Sequence, residues 1–161
     1  MIKVKNIIKS FDGSPVINGI SAVFDKGKTN LIIGQSGSGK TVFLKCLLGL
    51  VKIDSGHIEF ENKVFNTMSI KERSILRQEV GMVFQGSALF DSMTVEENIM
   101  FPMHMFTNKE ESEVRDQANM VIKRVNLINA NEKYPDVISG GMKKLVAIAL
   151  ALVMNPIVLL C

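Results

Sequence analysis

The sequence predicts a mixed α/β fold with an N-terminal antiparallel β part, a core built on a strand–loop–helix unit, and a helical insert. Three observations carry that prediction. Leu31-Ile32-Ile33 reads as a short buried strand, Gly34–Thr41 as a glycine-rich loop and Val42–Leu48 as a buried helix, so one apolar strand turns directly into a helix. Ahead of it, residues 2–8 and Val16–Phe24 carry strand character on either side of turn residues. Behind it, residues 86–135 carry helix-start signals and an apolar stripe at helical spacing, with no strand signal.

Residues 2–8 alternate loosely and are expected to form an edge strand; Phe11-Asp12-Gly13-Ser14-Pro15 has turn chemistry. Val16–Phe24 is the second strand, and Asp25-Lys26-Gly27-Lys28 is a turn into the strand at 31–33. The helix after Lys40 is expected to end near Gly49, and Asp54-Ser55-Gly56 is a turn. A hairpin follows: His57–Phe60, a turn at Glu61-Asn62-Lys63, then Val64-Phe65. Ser69 with Glu72 three residues on predicts a capping box that opens a helix to about Arg77, and Val80–Phe84 is a short apolar strand ending at Gln85. In the insert, Thr94/Glu97 and Thr107/Glu110 predict two more capping boxes, and Val114, Ala118, Val121, Ile122 and Val125 share one helix face. Ser139 is placed to cap a helix from Gly141 to about Met154 that Asn155-Pro156 ends, and Ile157–Cys161 reads as a buried strand.

Composition narrows the function. Hydrophobic residues make up 47% and charged residues 22%, a globular balance that suits one domain. The net charge of +3 is concentrated early: residues 1–60 hold eight Lys/Arg against four Asp/Glu, residues 61–161 eleven against twelve. That excess sits around the glycine loop and is too diffuse for a nucleic-acid partner, which needs a basic stripe or aromatic platforms. Cys46 and Cys161 make neither a disulfide framework nor a metal motif, and MIKVKNIIKS has no secretory leader pattern. The most apolar window, Leu145–Leu160, is broken by Asn155-Pro156 and is too short to span a bilayer. A cytoplasmic location is expected, with attachment to a membrane partner left open.

The stretch GQSGSGKT at Gly34–Thr41 matches G-x-x-x-x-G-K-[ST] at every position. Gly34, Gly37 and Gly39 allow positive φ and close backbone approach, while Gln35, Ser36 and Ser38 contribute N–H groups that line an anion nest at a helix N-terminus. Lys40 supplies a point charge for β- and γ-phosphates, and the Thr41 hydroxyl is placed for Mg²⁺. A second anion site is suggested by Ile138-Ser139-Gly140-Gly141-Met142, where a serine cap and two glycines leave N–H groups free. Alone, such a triplet is an ordinary capped helix, and Gln85 is an ordinary glutamine at a strand end. Their order along the chain gives them weight.

Loop, glutamine and S-G-G triplet in that order resemble the ATP-binding-cassette (ABC) ATPases, over essentially the whole sequence. The resemblance implies a P-loop NTPase core, ATP and Mg²⁺ as cofactors, and Ser139, Gly140 and Gly141 as the signature (usually L-S-G-G-Q) closing on ATP held by a second subunit, head to tail. It implies Gln85 as the Q-loop glutamine contacting Mg²⁺ and the attacking water, Phe11 as the aromatic stacking on adenine with Val16 flanking the base, and residues 86–135 as a helical subdomain of one cassette. It implies an integral-membrane permease as partner and a site at the inner face of the cytoplasmic membrane. Val80–Met103, VGMVFQGSALFDSMTVEENIMFPM, with methionine at 142, is similar to the ATPase of the bacterial Mla phospholipid transport system, which adds a lipid-binding protein as a partner.

Three departures qualify the resemblance. The family has an aspartate and a glutamate directly after four apolar residues; here Ile157–Leu160 is followed by Cys161, where the sequence stops. The γ-phosphate-sensing histidine is expected further on, and His57 and His104 stand in the wrong places to be it. The expectation is a truncated sequence with an unfinished sheet, able to hold ATP but not to turn it over alone. Leu145 and Leu150 stand where the signature helix usually has arginines. Two further readings therefore stand beside the transporter ATPase: a non-hydrolysing nucleotide-binding module, and an ABC ATPase for another substrate or without a permease.

Overall fold

Apolar residues spaced to one side at Ile2, Val4 and Ile7 bury against the core and set the first long strand, β1 (Ile2–Phe11). It returns as β2 (Ser14–Phe24) through Asp12 (φ 49°) and Gly13 (φ 78°), a two-residue turn whose left-handed residues match the strand twist. The computed structural model describes residues Met1–Cys161, which divide into two compact units, Met1–Arg73 and Ser74–Cys161.

In the first unit, helix α1 (Lys40–Leu47) and the hairpin β3 (Ser55–Phe60) and β4 (Lys63–Val64) follow β2. The sheet order is β2-β1-β3-β4, antiparallel throughout. β1 is therefore an inner strand, not the expected edge: β3 pairs on its second side, Ile2 against Phe60 and Val4 against Ile58. The loose alternation of 2–8 reflects bulges, since the register with β2 shifts after Val4 and Asn6 takes φ 50°. Ile17, Phe43, Cys46, Leu47, Ile58, Phe60 and Phe65 fill the core, with Phe43 tilted against Phe24 at 6.2 Å and Phe60 against Phe65 at 5.9 Å.

The expected strand Leu31–Ile33 does not form. Those residues have no ladder partner in either sheet, and Leu31 and Ile33 are 80% and 85% exposed. An apolar run is a strand only when a neighbour accepts its backbone groups.

Helix α2 (Ile70–Gln78) opens on the predicted box: the Ser69 N–H donates to the Glu72 carboxylate at 2.7 Å and the Glu72 N–H to Ser69 Oγ at 3.3 Å.

In the second unit, β5 (Val80–Met82) pairs in parallel with β6 (Val158–Leu160). Helices α3 (Val95–Phe106), α4 (Glu111–Arg124) and α5 (Gly140–Leu152) lie between them in the chain. Val95, Ile99, Met103, Val114, Ala118, Val121, Ile122, Val146, Ala149 and Val153 form one apolar cluster, which is the stripe predicted on α4 meeting its partners. The Thr94/Glu97 box caps α3 as expected. The second box is displaced: Glu110 caps α4 with Glu113, while the Thr107 hydroxyl donates to the Met103 carbonyl at 2.7 Å and closes α3. Both carboxylates of Glu110 and Glu113 sit at the positive helix end, where charge favours them over a threonine. The closing strand is not buried as expected, since Ile157 is 54% and Leu159 39% exposed and only β5 flanks it. Leu145 and Leu150, which replace the anticipated arginines, pack against the apolar cluster. No helix is long and apolar enough to cross a membrane.

Candidate functional site

The glycine loop belongs to the first unit, and its shape follows from where α1 begins. Gly39 is the residue before the helix, at φ 88° and ψ 5°, a left-handed conformation that an L side chain resists. A Cβ there would also lie 2.9 Å from the Val16 carbonyl and 3.0 Å from Val16 Cγ1, so β2 passes hard against the loop. Gly37 is left-handed as well, at φ 80° with open space around it. Gly34 differs from the expectation of positive φ: it is not in that region, and its lack of a side chain instead leaves room for Ser38 Oγ, 2.7 Å from where a Cβ would be.

Lys40 ties the loop's two ends together. Its ammonium donates to the carbonyls of Gly34 and Gln35, both at 2.7 Å, and a lysine has a third proton left for an anion. The Ser38 N–H donates to the Gln35 carbonyl at 3.2 Å. The first intrahelical bond runs from the Phe43 N–H to the Gly39 carbonyl at 2.8 Å, so the earlier N–H groups of α1 have no intrahelical acceptor. No acidic residue occupies that first turn. Gly34–Ser38 and Thr41 are exposed, and the loop presents N–H donors, a cation and a hydroxyl to solvent. This donor set fits a polyphosphate, and the Thr41 oxygen is the kind of hard ligand Mg²⁺ takes.

Phe11 ends β1 and pairs with Ser14 across the turn. It is 43% exposed, and the Lys9 ammonium sits 5.1 Å from its ring centroid. Val16 follows shortly along β2, in contact range of Gly39. The hairpin end and the glycine loop are thus joined through one residue.

Gln85, Ser139, Gly140 and Gly141 belong to the second unit. Gln85 is exposed in a turn just after β5, closed by the Ser87 N–H donating to the Phe84 carbonyl at 2.9 Å, with Ser87 and Ala88 at φ 63° and 50°. Ser139 caps α5, its Oγ accepting from the Met142 N–H at 3.2 Å. Nothing crowds Gly140 within 4 Å, and α5 has no acid in its first turn, so this helix end is open and electropositive. A cleft of about 570 Å³ in the same unit, lined by Thr94, Glu97, His104, Glu111 and Arg115 among others, contains none of these residues. His57 is exposed on β3, and His104 lies 3.5 Å from Glu111.

Two contributors were not legible as such. Asn98 is fully buried; its Oδ1 accepts from the Phe90 N–H at 2.8 Å, and its Nδ2 donates to the carbonyls of Phe90, Met93 and Thr94. It fastens the segment after Gln85 onto α3. Asp54, read as a turn residue, accepts from the Lys9 ammonium at 2.8 Å and the Ser10 N–H at 2.6 Å; those bonds, Lys9's first, hold its carboxyl below the usual range. The expected turn at Asp54-Ser55-Gly56 is only a bend at Asp54, since Ser55 and Gly56 already belong to β3, and the partners of Asp54 on β1 leave no local signal. Burial pushes the Cys46 thiol up, so it stays protonated and is no nucleophile.

The ABC transporter family model matches residues 17–161. The chain is 38% identical over 160 residues to the "Probable ribonucleotide transport ATP-binding protein mkl" of Mycobacterium leprae, covering 99% of this chain and 46% of that protein. It is 37% identical over 161 residues to the methionine import ATP-binding protein MetN of Clostridium tetani, covering 100% and 50%. The chain therefore spans about half the length of these curated relatives. Among solved structures, the ATP-binding cassette MJ0796, a dimer in a post-hydrolysis state bound to ADP and Pi, superposes with a TM-score of 0.89 at 29% identity, covering 97% of this chain and 71% of that one. The cbiO1 protein of Clostridium perfringens, part of the ABC transporter complex cbiONQ, does so at 0.86 and 32% identity, covering 98% and 63%. With loop, turn glutamine and capped glycine pair in order on a mixed α/β scaffold, the chain belongs to the ABC transporter family, as part of its ATP-binding cassette.

Proposed function

We propose that this chain is the nucleotide-binding part of an ABC transporter ATPase, in which ATP binding and hydrolysis by the whole protein drive transport through a membrane permease. The observation that carries the reading is the loop Gly34–Thr41: a left-handed Gly39 opens α1 with its first N–H groups unpaired, and Lys40 spans the loop with one ammonium proton to spare. The loop amides and Lys40 hold the β- and γ-phosphates, and the Thr41 hydroxyl holds Mg²⁺. When bound, Mg²⁺ supplies charge stabilisation at the phosphoryl oxygens. Phe11 takes one face of the adenine, with Val16 at its edge. Gln85 would contact Mg²⁺ and the attacking water, the role that the family resemblance implies for it.

Ser139, Gly140 and Gly141 serve the ATP of a second subunit arranged head to tail. The free, electropositive N-terminus of α5 supports that role, as does the dimeric state of the MJ0796 cassette. The helical segment 86–135 passes closure to the permease, which places the protein on the inner face of the cytoplasmic membrane. The likeness of Val80–Met103 and Met142 to the Mla-type ATPase supports phospholipid as cargo, with a lipid-binding protein as a further partner. The relatives named above carry other cargoes in their names, ribonucleotide and methionine.

The test is Lys40→Ala in the intact protein. Loss of a charge-assisted contact to phosphate lowers ATP affinity about 10- to 100-fold by calorimetry and stops ATP-driven phospholipid transfer between vesicles holding the permease. Retained tight ATP binding overturns the site. Transfer of a different solute, with phospholipid unmoved, overturns the cargo.

A further inference from the structure

The cluster Lys9–Ser10–Phe11–Asp54 surrounds the proposed adenine platform and has no part in the phosphate site. β3 pairs with β1 only as far as Ser55 against Ile8, yet the ladder continues through Asp54. Its N–H donates to the Ile8 carbonyl at 2.9 Å, and its carboxylate then accepts from the Ser10 N–H at 2.6 Å. Ser10 lies two residues beyond Ile8, so its N–H points to the same side of β1. A side chain thus substitutes for the next residue of a strand, and fixes β1 on its second side right up to the residue before Phe11.

The second oxygen of the same carboxylate holds the Lys9 ammonium at 2.8 Å. Lys9 and Phe11 are two apart on one strand, so both side chains stand on the same face. The ammonium lies over the Phe11 ring, 5.1 Å from its centroid, and the Lys9 side chain is only 15% exposed. A lysine on its own is a floppy, strongly hydrated charge. Pinned by Asp54, this one covers a ring face and restricts the ring's rotation, while the ring stays 43% exposed. Phe11 is left with room for one flat partner.

We propose that Asp54 and Lys9 are positioning residues that hold Phe11 ready as the stacking platform for the purine of the bound nucleotide. The inference rests on the reading of Phe11 as the adenine contact. Its signature is selectivity: a preorganised ring contributes to affinity for a nucleotide with a base and nothing to a bare polyphosphate, which meets only the loop.

The experiment compares Mg-ATP with Mg-tripolyphosphate by calorimetry in the intact protein. Asp54→Ala and Lys9→Met each weaken ATP about two- to five-fold, the scale of an exposed cation–ring contact, and leave tripolyphosphate unchanged. Lys9→Arg, which keeps a stacking cation, retains wild-type ATP affinity. If Asp54→Ala fails to fold, Asp54→Asn keeps an acceptor for the Ser10 N–H and removes the negative charge that pins the Lys9 ammonium; the same selective loss is expected. Equal losses for both ligands, or no loss for either, while Phe11→Ala still loses ATP selectively, overturn the positioning role and leave the platform standing. Phe11→Ala with undiminished ATP affinity overturns the platform, and the positioning role with it.

Discussion

Replacing Gly39 with alanine tests how the phosphate loop is held. Two costs add at that residue. The first is conformational, since φ 88° is left-handed and costs an L residue about 1–2 kcal/mol. The second is steric: the new methyl would sit 2.9 Å from the Val16 carbonyl and 3.0 Å from Val16 Cγ1, one of them β2 backbone, at the register shift between the paired residues Pro15 and Ile17. Overpacking of that kind costs about 1–3 kcal/mol, for a total near 2–5 kcal/mol. Gly37→Ala separates the terms, because Gly37 has φ 80° and nothing within 4 Å and should lose only the first. The chain has no tryptophan, so urea unfolding is followed by far-UV circular dichroism, with amide exchange in α1 as the local probe. Gly39→Ala should be the less stable by 1 kcal/mol or more and should raise exchange in the first turn of α1. Equal stability of the two variants would refute the claim that β2 braces the loop through Val16.

Asn98→Leu takes the acceptor from the Phe90 N–H and the amide donor from the Met93 carbonyl, while the Phe90 and Thr94 carbonyls keep the backbone N–H groups of Met93 and Asn98; a loss of about 2–4 kcal/mol in unfolding free energy, with early exchange at Phe90, is expected, and a loss under 1 kcal/mol would refute its role. Thr94→Ala removes the cap that accepts from Glu97 and should cost about 1 kcal/mol in the same unfolding assay. Stability should also fall in acid. Asp54 and Glu72 are held below their ordinary range, chiefly by hydrogen bonds from Lys9 and from Ser69, so the folded state binds these protons less readily than the unfolded chain. Their contribution is complete above the unfolded values near pH 4 and disappears as pH falls through the lower folded ones. The urea midpoint of wild type should drop more between pH 5 and pH 3 than that of Asp54→Asn, and identical drops would count against the Lys9–Asp54 bond.

What could be read from sequence was what depends on neighbours along the chain. The Asp12-Gly13 turn, the Ser69/Glu72 and Thr94/Glu97 boxes and the Ser139 cap rest on contacts within four residues, and each formed. The loop was legible for the same reason, since Gly37, Gly39 and Lys40 act on their own backbone. Failures came where the outcome depends on a distant partner. β1 looked like an edge because nothing in residues 2–8 announces β3 from residues 55–60. Thr107 is a local exception, having lost the cap to Glu110 three residues on. Asp54 and Lys9 meet across 45 residues, and no local rule links them.

The missing strand at Leu31–Ile33 changes how the loop's rigidity is explained. In the sequence reading, a buried strand delivers the chain into the glycines and fixes the loop from its entry side. In the structure that arm is exposed and unpaired, so the restraint must come from the exit. It does: Val16 leaves no room for a side chain at Gly39, the Phe43 N–H bonds back to Gly39, and Lys40 reaches across to the carbonyls of Gly34 and Gln35. Lys40 is then the strut that keeps the loop closed and, in the proposed function, also the charge offered to phosphate. Once phosphate arrives, the third ammonium proton can be shared without opening the strut, so the loop need not reorganise to bind. A loop built this way is ready for an anion before the anion comes, which lowers the ordering cost that binding would otherwise carry.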